Sequence, residues 1–343
     1  MKLDKTFGAV GLGLLLGAGL TGYAVAQTAN PLLVTPQSQF KPMPTPAIEK
    51  PAQDFKTAED HYKYLLKQAN GGTKHTQATI PDWSGLWTSG ANTMTATFLV
   101  SSNEGALMSP GGTVREGILT PAYEKQFKAR RAEIGKLGQQ KFDRLTRCEF
   151  PGAARWLWEP YVKEFANTPS QTWMMNDFMN ETRRVYINSE HKNIDAKHSA
   201  TGDSIGFWDK DKLIVWTKWI NPADYTRGMP LTSNQLQMVE TWQLRHGDKG
   251  AKQLTTQVTY YDPLSLVKPI SLVYVQEYRP DLEKIGVRIR NWECATSSND
   301  FIDADGNTSV RLPGDPEYKD PRGSTDYPDL PGQDLDPIFD PGK

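Results

Sequence analysis

This chain has very little cysteine, little histidine and no net field: two Cys, five His, and 39 Lys plus Arg against 40 Asp plus Glu over 343 residues. A formal charge of -1, with no dense Lys/Arg cluster, argues against a nucleic-acid or anionic-membrane surface. Two thiols are too few for a multi-bridge scaffold or a four-cysteine metal site. Beyond residue 26 there is no apolar run near the ~20 residues that a spanning helix needs. What remains is a chain with ample length for a real core and ten tryptophans to fill it.

The N-terminus reads as an export signal. Met1 to Lys5 is short and charged, Phe7 to Leu20 is apolar but loosened by five glycines, and Ala24-Val25-Ala26 offers small residues before Gln27. Residues 1–26 are therefore expected to be a cleaved signal peptide, with the mature chain periplasmic or secreted. No Cys follows the site to accept a lipid, and no transmembrane anchor is expected after cleavage. An exported chain is steered away from nucleotide-dependent chemistry, so no cofactor is expected. In an oxidising compartment Cys148 and Cys294 have one possible pairing, either as a disulfide or as two buried thiols.

Six prolines across residues 28–56 describe an extended arm (27–56), and 301–343 forms a Pro/Asp-rich tail whose last 33 residues have too few aliphatics to offset ordering. Either arm could meet an envelope protein partner. Between them, 57–300 is expected to be a single β-rich domain with helices near 58–70 and 121–137. Thr57 and Asp60 make a variant capping box for the first; Thr120 followed by Pro121 opens the second.

Short runs rich in Trp, Tyr, Val, Ile and Thr predict strands near Trp83–Trp87, Met94–Val100, Thr172–Phe178, Arg183–Asn188, Lys212–Ile220, Gln237–Arg245, Gln253–Tyr261, Ile270–Arg279 and Val287–Cys294. Hairpin-type turns between them predict an antiparallel meander, closed into a barrel or folded over as a sheet to remove its edges. Both faces of Lys212–Ile220 are apolar, so one needs a second cover.

The candidate ligand set is Trp173, Trp208, Trp216, Trp219, Trp242, Tyr260 and Tyr274, lining a cavity for a hydrophobic or aromatic small molecule; ordinary core packing is the plainer account of the same rings. Glu240, on the Trp242 face, joins Arg184 and Asp203 as polar groups of that cavity, and with His198 these are the candidate acid/base residues of an enzymatic alternative. Gly202-Asp203-Ser204-Ile205-Gly206 has the letters of a nucleophile elbow, but a polar loop leads in and a strand leads out. His191, Asp195 and His198 lack metal-site spacing, and Asp303, Asp305 and Asn307 lack the Gly and final Glu of a calcium loop, so no metal is expected.

The order of Pro81-Asp82-Trp83-Ser84-Gly85-Leu86-Trp87, Leu119-Thr120-Pro121, Cys148 through Arg155, Glu164-Phe165 with Thr168-Pro169, Arg183-Arg184-Val185-Tyr186, Gly202 to Trp208, Val239-Glu240-Thr241-Trp242, and Tyr261-Asp262-Pro263 with Lys268-Pro269 resembles a large, mostly uncharacterised family of secreted bacterial proteins. The chain departs from that family at Ala154 and Lys210-Asp211-Lys212. Gly85-Leu86-Trp87 is also similar to the G-x-W signature of lipocalins. That resemblance implies a barrel binding hydrophobic ligands, with Trp87 closing one end and an Arg such as Arg288 or Arg290 on the last strand stacked on it. Some lipocalin-like proteins are isomerases, hydratases or cyclases.

Overall fold

The computed structural model describes residues 40, 43–89, 116–137, 144, 148–157, 159–192, 197–225, 230–292, 300–302, 304, 308–310, 316–317 and 330–332. Its centre is a closed barrel of nine strands: β1 (Trp87–Ser89), β2 (Lys163–Asn167), β3 (Gln171–Asn176), β4 (Thr182–Ile187), β5 (Asp203–Asp209), β6 (Lys212–Lys218), β7 (Gln237–His246), β8 (Lys252–Tyr261) and β9 (Ile270–Tyr278). Each strand pairs with the next, and β1 returns to β9 through Trp87 opposite Tyr278 and Ser89 opposite Gln276. Closure pairs both sides of every strand in the barrel. The mainly β, barrel-forming expectation holds.

Four details differ from the pattern-based expectation. The β4–β5 pair is parallel, with Val185 opposite Ser204, so the meander is interrupted by a crossover through residues 188–202. Residues 287–292 are not a strand. The place beside β9 is taken by β1, and the backbone amides of Arg290 and Trp292 go instead to Asp177 Oδ1 and Asn180 Oδ1. Strand β1 begins only at Trp87, because Ser84 N turns back to Asp82 Oδ1. Neither β2 nor β5 is among the expected strands; β2 carries charges in a five-residue run, too short for its alternation to show. Met94–Val100 lies outside the described residues, as do residues 1–39.

Alternation along the strands sorts the side chains. On β4, Arg183, Val185 and Ile187 are buried while Thr182, Arg184 and Tyr186 are exposed. The interior is filled by indoles: Trp83, Trp87, Trp156, Trp208 and Trp242 are each at most 1% exposed. Successive rings along Trp208, Trp83, Trp242 and Trp156 lie 5.2, 6.3 and 6.4 Å apart, and Phe165 sits 5.7 Å from Trp242. These spacings are those of aromatic pairs packed on one another.

Both ends of this column are stoppered. Trp83 plugs one, where Asn167 Nδ2 donates to Pro81 O. At the other sit α2 (Pro121–Leu137), with Tyr123 and Phe127 in the core, and the short α3 (Ala153–Trp156), whose Trp156 Nε1 donates to Glu181 O.

The second cover for β5 and β6 is α1 (Ala58–Gln68). Thr57 caps it, accepting Asp60 N and donating to Asp60 Oδ2. Its inner face sets Tyr62 against Phe207 and Trp216, at ring separations of 5.3 and 5.6 Å. His61 is wedged between Phe55 and Tyr261, whose hydroxyl lies 2.9 Å from its Nδ1. The arm hugs the barrel: Gln257 exchanges hydrogen bonds with the backbone of Glu49, and Gln253 and Arg245 donate to Met43 O and Pro44 O. After β9 come α4 (Pro280–Lys284) and a small hairpin of β10 (Asp300–Ile302) with β11 (Thr308–Val310), the latter inside the stretch expected to be tail. Further on, Pro331 O accepts from Tyr123 and Gly332 O from Asn234 N, so part of the tail returns to the barrel. Among the described residues no helix is long and apolar enough to cross a membrane.

Burial lowers His61 from 6.5 to about 4, so the unfolded chain gains a proton there between pH 6.5 and 4 that the folded chain refuses. Stability from this site is complete above pH 6.5 and falls as pH drops through the window, by up to about 3 kcal/mol. In urea titrations at a series of pH values, His61→Gln should be less stable than wild type at pH 7 yet flatter between pH 6.5 and 4. Parallel curves would remove His61 from the acid response.

Candidate ligand site

Chemistry gathers at two places. The first is inside the barrel. Glu240, fully buried, points inward from β7 beside Trp242, as alternation requires. Its cation is Arg183 and not Arg184: Nη2 donates to Oε1 at 2.8 Å and Nη1 to Oε2 at 3.3 Å, a bidentate pair with both side chains at 0% exposure. Trp242 Nε1 adds a third bond to Oε2 at 2.8 Å. Arg183 Nη2 also reaches Thr217 Oγ1, which shares a proton with Ser204 Oγ at 2.8 Å. Beside this cluster the Tyr260 and Tyr274 hydroxyls meet at 2.9 Å, and burial raises both phenols far above their ordinary range.

Ser204 is thus no nucleophile on an elbow. Its flanking glycines serve packing: a Cβ on Gly206 would stand 2.7 Å from Ile214 O, and one on Gly202, at φ +68°, 2.6 Å from Lys218 O. Under α3 lies a second buried layer. Burial pushes Lys163 down to about 7 and Glu181 up to about 8, although Glu159 holds the first up and the Gly152 amide and Arg183 hold the second down. Lys163 Nζ donates to Glu159 O and Ser89 Oγ, behind Trp156.

Outside the barrel wall are the other expected residues. Arg184 stacks on Trp173, 4.1 Å from the ring centre, on the exposed face of β3 and β4. Trp216 faces α1, not the interior, and its Nε1 donates to Gln237 Oε1. Asp203 bonds His191 Nδ1 at 2.7 Å, and His198 lies apart, at Asn234 O. Of the seven aromatic candidates, only Trp208, Trp242, Tyr260 and Tyr274 point inward, and they do so as filled core. The expected Arg on the last strand is also replaced: Arg279, just after β9, is buried and reaches Thr88 Oγ1, whereas Arg288 and Arg290 follow the barrel.

The second place is a groove of about 630 Å³ where β6 and β8 end and β7 and β9 begin. This volume is within the range of small-molecule sites. Its apolar lining comes from Trp219, Tyr261, Leu236, Leu266 and Val267. Trp219 stands just past β6 in the left-handed region, at φ +56°. A bulky side chain held there is strained, and such strain gathers at functional positions. It is imposed by packing. The crossover from β4 bonds Ser199 N to Trp219 O and sets His191 against Trp216 and Trp219, at ring separations of 4.4 and 5.6 Å. His191 Nδ1 is fixed by Asp203, and its Nε2 is buried with no partner among the described residues.

Lys56, Lys218, Lys268 and His198 also line the groove, against a single carboxylate, Asp262. Asp262 is 2% exposed and accepts from Ser233 N and Oγ, Ser265 N and Tyr225 O–H. Burial raises it, and those hydrogen bonds pull the other way. The sequence pointed to Trp219, gave His191 only as a metal-ligand candidate set aside for its spacing, and gave no sign of Lys218 beyond its place next to Trp219. The crossover is what brings His191 to Trp219. No group of three or more His, Cys, Asp or Glu among the described residues is placed to hold a metal. No family model, curated protein or solved structure matches the chain.

Removing one partner of the interior ion pair strands a buried charge. Arg183→Met should cost about 3 to 5 kcal/mol in denaturant unfolding, and Arg183→Met with Glu240→Gln should cost far less than the two single changes added together. Additive costs would show that the pair is not coupled.

Proposed function

We propose that the chain is an exported binding protein for a small molecule with an apolar or aromatic body, which lies in the groove against Trp219 and not inside the barrel. The strained Trp219 at the mouth of a groove of ligand size carries this reading. Filling of the interior by five buried indoles argues for the groove over the barrel axis. The export half rests on residues 1–26. An acid/base reaction beside the same groove is the second reading, supported by His191, which packs on Trp219 behind the lining, is oriented by Asp203 and has a second ring nitrogen without a partner among the described residues. The Arg183–Glu240 pair is sealed away from either activity.

Native mass spectrometry of protein purified from the periplasm of its producing cells should show a retained small molecule, which Trp219→Ala loses while unfolding at a similar denaturant concentration. Retention by the variant, or an empty wild type whose tryptophan emission no hydrophobic compound alters, overturns the groove reading.

The bridge between Cys148 and Cys294 belongs to the same proposal. No free cysteine occurs among the described residues, and Cys294 lies outside them. Intact mass should show both thiols alkylated only after reduction; alkylation without reductant would exclude the bridge.

A further inference from the structure

Resting on the groove reading, we infer that the ligand carries an anionic group, a carboxylate, sulfonate or phosphate monoester, and that Lys218 holds it. Lys56, Lys218 and Lys268 arrive at the groove from three separate segments: the approach to α1, the end of β6 and the loop before β9. Among the described residues none of the three takes part in an ion pair. The whole chain has a net charge of -1, so this positive lining is a local feature. Asp262 is the one carboxylate in the lining, turned to Ser233, Ser265 and Tyr225, and its single negative charge does not offset three ammonium groups.

Lys218 is positioned as well as unpaired. Its Nζ lies 4.1 Å from the Trp219 ring centre and 5.1 Å from that of Trp216. Ring faces hold an ammonium by their quadrupole without neutralising it, so its charge and N–H donors stay available. The ammonium therefore stands beside the same indole that would receive the ligand's apolar body. An amphipathic anion matches both halves of the groove: charge toward Lys218, Lys56 and Lys268, and a flat or acyl body along Trp219, Leu266 and Val267.

Two fluorescent dyes with nearly the same body separate the charge from the groove. The mature protein is titrated at low salt with 8-anilinonaphthalene-1-sulfonate and with neutral N-phenyl-1-naphthylamine, and far-ultraviolet dichroism shows each variant folded. Wild type should bind the sulfonate about tenfold more tightly than the neutral dye, an advantage that salt weakens, as expected for one partly exposed charge contact. Lys218→Gln should remove most of that advantage and leave the neutral dye unchanged, whereas Trp219→Ala should weaken both. Equal affinity for the two dyes, or a sulfonate affinity untouched by Lys218→Gln, overturns the anion inference while the groove survives through its dependence on Trp219. Failure of both dyes to bind, or indifference of both to Trp219→Ala, overturns the groove reading and this inference together.

Discussion

Arg183 and Glu240 meet at the centre of the barrel with neither side chain touching water. A carboxylate in that place is tolerable only with a bidentate cation and a third donor, and Trp242 Nε1 supplies the third. The demand propagates outward. Arg183 must face inward, which sends Arg184 to the surface, and the Thr217–Ser204 pair completes the donors around the guanidinium. The pair ties β4 to β7 across the barrel, while Arg183 also lies over Trp156 of the plug. Indoles occupy the remaining volume, so the interior is packed core.

The rim is shaped by the one parallel pairing in the barrel. A strand that returns in the same direction needs a crossover connection, and the described residues 188–192 and 197–202 belong to it. That crossover carries His191 to Asp203 and pins Trp219 at positive φ. Strain at Trp219 is thus a consequence of topology, and it presents an indole beside an unpaired ammonium at the edge of the groove.

Much of the wall was legible. Alternation in β4 is strong because one face is wholly buried and the other exposed, and on β7 the same rule placed Glu240 with Trp242 correctly. The apolar double face of β6 foretold a cover, which α1 provides. The candidate site was less legible. Period-two reasoning could not tell Arg183 from Arg184 without the phase of β4. It also read Trp219 as a strand residue, although the strand ends one position earlier. The ring-rich strands pointed to an aromatic cavity, but aromatic composition is the same whether rings line a void or fill it.

The sequence by itself determined the class of the fold, the caps of α1, the register-setting alternation and the near-neutral surface, because each follows from local periodicity or composition. Tertiary structure alone decided that β4 and β5 run parallel, that the barrel is plugged by Trp83 and Trp156, and that three lysines from distant segments share one groove. Those outcomes depend on which elements meet in space, and sequence distance carries no information about that.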